Sequence, residues 1–408
     1  MGEQPVIPIL IKPEMKKIFA FIFAVFIVLP IKSETSDADR AGSYFEKINF
    51  EFIDNKIIIP VTIDGTEYRF LFDTGAPNVI SKEIFTKTGP EVLKSSHTND
   101  AAGNSDDLLI VKIPEIKIGN TSFRKTKALV YDLKNIDIFK CYGIDGFIGS
   151  NLLKNSIVRI DFENRTLILT DNKRNLDLDK SKAAKMAVLG EQSSPFIFID
   201  IKGRAAARDQ VLIDTGMDSF YDLSHRSYDI FKNNEILKDL ATATGGSIVS
   251  LFGNEQKTEQ HRVLVPELDV AGVKFKGLVT ITTADNISRI GIDMLKHGIT
   301  TIDFKNKRFY FDAEGETVDV SKPLPGFTPT VENGRLVIGY VWDKKLKSKL
   351  SYGDEIIKIQ DTDISKMKFC DFMKQKHIFE EEDTLSIVFK TKTGDISNMT
   401  IIKETPEL

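Results

Sequence analysis

The chain has little of what several common chemistries need. Its 408 residues hold two cysteines, Cys141 and Cys370, one tryptophan and five scattered histidines. No CxxC or HExxH spacing occurs, so no zinc site is indicated. No GxSxG elbow and no Cys/His dyad point to a side-chain nucleophile. The net charge is only −4 and no long Lys/Arg run appears. Nucleic acid and anionic membrane surfaces are therefore not expected partners. So few cysteines, placed far apart in what read as different domains, do not make a disulfide-stapled scaffold.

What is present is ordinary for a globular protein: 41% apolar and 28% charged residues, with 28 phenylalanines. The length predicts two or three domains. The N-terminus is more specific. From Met15, two lysines lead into a mostly apolar run, Ile18 to Ile31, and then a polar stretch. That layout predicts a signal peptide within residues 1–34 and an exported protein, periplasmic or extracellular. The apolar run falls short of the roughly 20 residues that span a bilayer. An uncleaved membrane anchor is the alternative, and no other membrane association is expected.

The chain then repeats itself. FLFDTGAPNVIS, Phe70 to Ser81, recurs as VLIDTGMDSFYDLS, Val211 to Ser224. Asp73 and Asp214 are 141 residues apart; Gly149 and Gly291, and Asp161 and Asp303, are 142 apart. A nearly constant spacing over three markers means two copies of one unit. Each copy reads as β. Hairpin turns are expected at Asp64-Gly65, Lys202-Gly203, Glu163-Asn164 and Lys305-Asn306. Short helices are expected over 81–87, 149–155 and 228–240.

Two such units related by a pseudo-twofold axis would bring equivalent positions together. Each Asp would then face its twin. Two carboxylates in contact resist ionising together and share one proton. Such a pair can hold a water, one acid taking its proton while the other donates to a carbonyl oxygen. Thr74 and Thr215 would bond across the contact, and Gly75 and Gly216 would let backbone N–H groups approach the carboxylates.

With these residues in place, the sequence resembles the retropepsin-type aspartic proteases, with two lobes fused in one chain over about residues 45–315. The markers are Asp73-Thr74-Gly75-Ala76 and Asp214-Thr215-Gly216. Each has its downstream element, Phe147-Ile148-Gly149 and Arg289-Ile290-Gly291. The resemblance implies a mostly β fold of two acid-protease lobes, 45–180 and 190–318. It implies Asp73 and Asp214 as the catalytic pair, with Ile148, Gly149, Ile290 and Gly291 packed under the Asp loops. Peptide or protein is the implied substrate, with no metal or organic cofactor. Flaps are expected over 97–109 and 242–256. Met217, Asp218 and Arg289 depart from the family's pattern. Ala76 and Met217 cannot donate a hydrogen bond to an ionised carboxylate, so the pair should titrate high. Asp218 would push the same way if it faced the pair.

A proline-containing stretch, 321–329, reads as a linker to residues 325–408. That segment resembles the PDZ family, from its Leu350-Ser351-Tyr352-Gly353-Asp354 turn into an apolar strand, with short helices expected near 343–349 and over 366–376 and a hairpin at the end. The resemblance implies a small α+β domain able to take a peptide ligand by strand addition. The rival to a peptidase is a non-catalytic peptide-binding protein built on the same fold.

Overall fold

The computed structural model describes residues 11–12, 43–99, 105–246, 249–250, 253–254, 257–373, 379 and 382–407. Apart from Ile11 and Lys12, the expected signal segment lies outside them, as do the tips of both expected flaps.

The first repeat is built from hairpins. Asp54 and Asn55 take φ of 46° and 57°, and Asp64 and Gly65 take 49° and 71°. These left-handed two-residue turns match the twist of the strands they join. They bracket the strand Lys56–Ile63, which returns as Thr66–Asp73. Phe70 and Phe72 point into one core and Leu71 to the opposite face, all at most 3% exposed. Gly146–Gly149 then inserts beside this strand in parallel, with Phe147 opposite Leu71 and Gly149 opposite Asp73. Its other edge pairs antiparallel with Val79–Ser81.

The second repeat has the same pairing. Ser288–Ile290 lies parallel to Val211–Ile213 and antiparallel to Tyr221 and Asp222. The serine closing each copy of the motif caps a helix. Ser81 Oγ accepts from Ile84 N ahead of Lys82–Thr88, and Ser224 Oγ from Ser227 N ahead of His225–Asn233. The second helix ends sooner than expected. Glu235 turns left-handed, with φ of 55°, and a strand begins at Lys238. Lys202-Gly203 is also not a two-residue turn. The loop runs to Ala205, and a side chain on Gly203 would meet the Ile236 carbonyl at 2.3 Å.

Both repeats enter one antiparallel sheet, in the order Ala184–Leu189, Arg308–Ala313, Gly298–Asp303, Ile157–Asp161, Thr166–Thr170, Phe45–Asn49. At its middle Val158 faces Ile302, Arg159 faces Thr301, and Ile160 faces Thr300. With the 142-residue spacing, Thr301 is the counterpart of Arg159 itself, and Ile302 and Thr300 are the counterparts of Ile160 and Val158.

The C-terminal unit is a separate sheet of Phe327–Glu332, Arg335–Val341, Glu355–Ile359, Thr384–Lys390 and Ile396–Ile402, with a helix over Phe369–Met373. Phe327, Ile338, Ile359, Leu385, Ile387 and Phe389 fill its core, each at most 2% exposed. Two expectations change here. Phe327 is already strand, which shortens the linker, and residues 344–349 form turns rather than a helix.

This unit is fastened to both repeats. Cys141 in the helix Asp137–Tyr142 and Cys370 in Phe369–Met373 form a disulfide across 229 residues. The sequence reading placed these cysteines apart, because nothing local announces that their helices meet. On the other side, Tyr340 and Trp342 pack on Ala243. Arg262 lies 4.8 Å over the Trp342 ring and donates to Pro325 O at 2.9 Å. A side chain on Gly245 would lie 1.8 Å from Gly339 O, so only glycine permits this approach.

Closing so long a loop constrains the unfolded chain strongly. The Cys141→Ser variant is expected to lose about 2–4 kcal/mol. Chemical unfolding without reductant measures this, and an unchanged midpoint would remove the crosslink from the stability of the fold.

Candidate active site

The two Asp-Thr-Gly loops meet at the ends of the paired strands. Thr74 N donates to Thr215 Oγ1 at 3.0 Å, and Thr215 N donates to Thr74 Oγ1 at 3.1 Å. Each hydroxyl passes its own proton on across the contact, Thr74 to Ile213 O at 2.6 Å and Thr215 to Phe72 O at 2.8 Å. Both threonines are fully buried. Every one of these polar groups would otherwise stand unpaired, at about 1–3 kcal/mol each. The interlock therefore fixes the register of one loop against the other.

That register brings the carboxylates together. The Asp214 carboxyl lies against Gly75, the residue whose amide bonds Asp73, and its charge bears on Asp73. Gly75 N donates to Asp73 Oδ1 and Gly216 N to Asp214 Oδ1, each at 2.9 Å. The glycines do more than expose their amides. A side chain on Gly75 would sit 2.3 Å from the Asp214 carboxyl carbon, and one on Gly216 would sit 2.3 Å from Asp73 Oδ2. Each loop is thus bare where the opposite carboxylate must pass.

The expected supports lie under the loops. Ile148 and Ile290 are fully buried. A side chain on Gly149 would meet Pro77 C at 2.3 Å, and one on Gly291 would meet Met217 O at 2.5 Å. Ser150 N donates to Ala76 O at 3.1 Å and Ile292 N to Met217 O at 2.9 Å. Ala76 and Met217 thus do the same work through their backbones.

Two further groups were missed in the sequence. Lys56 Nζ donates to Gly216 O at 2.9 Å, and Gln192 Nε2 donates to Gly75 O at 2.8 Å. Each side chain belongs to one repeat and caps the loop of the other. The one sequence sign of Lys56 was a charge opening an otherwise apolar strand. Lys56, 8% exposed, also pairs with Asp218. This changes the expectation for Asp218, whose charge is taken up by Lys56 instead of acting on the pair. Arg289, the other departure, lies with Nε 3.5 Å from Asp214 Oδ2 and is also paired with Asp285. Asn55 Nδ2 donates to Asp293 Oδ1 at 3.3 Å, a further tie between the repeats.

Burial holds the Asp73 carboxyl well above the usual carboxylate range, and the neighbouring Asp214 charge adds to the effect. The Gly75 amide and Lys56 oppose it without reversing it. A pair in this state carries one proton where isolated aspartates carry none. It can therefore offer an acid and a base at once.

Part of the chain is similar to known proteins. Residues 59–152 match the model of a family described as aspartyl protease, a stretch that includes Asp73 and Gly149. A retropepsin-like aspartic protease from Rickettsia conorii, of known crystal structure, is similar at 23% identity and a TM-score of 0.24. The similarity covers 32% of this chain and 96% of that one. No curated protein matches the chain.

The raised titration has a consequence for stability. Unfolded, Asp73 would release its proton near the ordinary value of 3.8. Folded, it holds the proton to higher pH, so the folded state binds more protons between the two values. Stability must then fall as pH rises through that window. Asn at position 73 carries no such charge. Thermal unfolding from about pH 4 to about pH 8 should show Asp73→Asn gaining on the parent chain as pH rises. A difference that stays constant or shrinks would contradict the buried, shared proton.

Proposed function

We propose that this protein is an exported aspartic endopeptidase made of two fused retropepsin-like lobes and a PDZ-like C-terminal domain. The observation that carries the reading is the reciprocal threonine interlock, which holds two carboxylates in contact under bare glycines. The family match over the first repeat supports a protease hydrolase. The self-pairing register about Arg159 and Thr301 supports a pseudo-twofold relation between the lobes.

In this reading a water sits between Asp73 and Asp214. The ionised carboxylate takes a proton from it as its oxygen bonds to the scissile carbonyl carbon. The protonated carboxyl gives its proton to the carbonyl oxygen. The resulting tetrahedral adduct collapses with the C–N bond breaking and a proton passing to the leaving amine. Substrate would be covered by the hairpin of Glu91–Asn99 and Ser105–Lys112, which presents Val92 and Leu93 to solvent. At the start of the second expected flap, 242–256, Ala243 and Gly245 instead pack against the C-terminal unit.

The C-terminal sheet with its edge helix supports the PDZ-like reading. A small pocket lined by Arg335, Leu336, Ile364, Met367, Phe369 and Phe372 lies where this helix meets the sheet. Export is supported by the apolar segment after Met15 and by the Cys141–Cys370 disulfide, a bond favoured in oxidising compartments.

The rival reading, a peptide-binding protein without catalysis, draws on Arg289, whose cation sits against one member of the pair. One experiment separates them. Asp73→Asn and Asp214→Asn should each reduce cleavage of a peptide library by at least about a hundredfold with the fold kept, and the parent should work best at mildly acidic to neutral pH. Cleavage that survives either substitution would remove the pair from the chemistry. No cleavage by the parent, with peptide still bound, would establish the rival.

A further inference from the structure

The two halves of the site are alike in backbone and unlike in charge at one position. Phe147 stands between Leu71 and Val79, and Arg289 stands between Leu212 and Asp222. These are equivalent places, and at the second of them the side chain reaches Asp214. On the Asp73 side, Phe147 brings no charge and packs edge-on against Phe139, ring centroids 5.1 Å apart. On the Asp214 side, Arg289 brings a cation that is only 11% exposed, so water screens it little.

Arg289 is not free to turn away. Its Nη2 is fixed by Asp285 while Nε is left toward Asp214. Asp222 faces it across the strands and further holds its charge. On the far side, Lys56 lowers the titration of Asp73, but its ammonium contacts the Gly216 carbonyl and Asp218, not the Asp73 carboxylate. The charged groups around the pair are thus Arg289, Asp285 and Asp222 on one side and Lys56 with Asp218 on the other. Among these cations, Arg289 is the one in direct ion-pair contact with the pair.

We infer that Arg289 is a positioning residue that breaks the symmetry of the pair, holding Asp214 ionised so that the shared proton resides on Asp73. This rests on the peptidase reading above and assigns its roles. Asp214 is the base that takes the proton of water as the water oxygen bonds to the carbonyl carbon. Asp73 is the acid that protonates the carbonyl oxygen as its double bond opens. On collapse, Asp214 returns its proton to the leaving nitrogen as the C–N bond breaks, and Asp73 recovers one from the adduct. The first, apolar wall and the second, charged wall therefore have different duties in one reaction.

The full chain with ¹³C-labelled aspartate carboxyls tests this, Asp73→Asn and Asp214→Asn serving to assign the two signals. In the parent, Asp214 should release its proton at lower pH than Asp73. In Arg289→Met its titration should rise by roughly 1–3 pH units, as expected on losing an adjacent opposite charge. The acidic limb of the kcat/KM profile should rise with it, and Arg289→Lys should restore most of both. Asp73 releasing its proton first, or an Asp214 titration unmoved in Arg289→Met, would overturn the inference. The order in the parent needs no variant, so a misfolded Arg289→Met leaves that arm standing. The expected order without any peptide hydrolysis would uphold the proton assignment and overturn the peptidase reading instead.

Discussion

Everything at the centre of this molecule depends on two buried threonine hydroxyls. Thr74 and Thr215 each accept an amide proton from the other loop and hand their own proton to a backbone carbonyl across the contact. Four bonds close with no partner left over, and none can form unless the loops stand in one register. The register puts Asp73 against Asp214, which no folding preference of an aspartate would do by itself. The cost of bringing two acids together is met by keeping a proton between them. A structural bond between repeats thus creates the protonation state that the proposed chemistry needs.

Around this symmetric centre, the asymmetries sort by duty. Lys56 and Gln192 cap the two glycine carbonyls from opposite repeats, one charged and one neutral. Phe147 and Arg289 hold equivalent strand positions, one apolar and one charged, and Arg289 reaches Asp214. The helix that carries Phe139 beside Phe147 also carries Cys141, which ties it to the C-terminal unit. That unit rests at its other side on Ala243 and Arg262 of the second repeat. The C-terminal unit is therefore a brace across both repeats, and the helix Asp137–Tyr142 carries its attachment toward Phe147.

Much of the site was legible in the sequence because its parts are local and repeated. Asp, Thr and Gly sit together twice, and the glycines downstream recur at the same distance, so a constant spacing exposed the pair before any contact was seen. Hairpins at Asp64-Gly65 were legible for the same reason, since the turn chemistry lies in the two residues themselves. What was missed depends on contacts between distant segments. Lys56 and Gln192 act on the loop of the other repeat, and Cys141 meets Cys370 only because two helices dock. Asp218 was read by its charge alone, while its role is set by Lys56. The helix from His225 was expected to run too far because Glu235, not a glycine, takes the left-handed turn that ends it.

The most direct measurement of the central claim is a double-mutant cycle on Thr74→Val and Thr215→Val, read both as unfolding free energy and as peptide cleavage. Valine keeps the shape and removes the hydroxyl. If the two loops are one interlocked unit, the losses are strongly non-additive, with a coupling of about 1–3 kcal/mol in stability, and either substitution alone removes most of the activity. Additive losses, with activity left intact by one substitution, would mean that the loops are merely neighbours and that the carboxylate pair is held by something else.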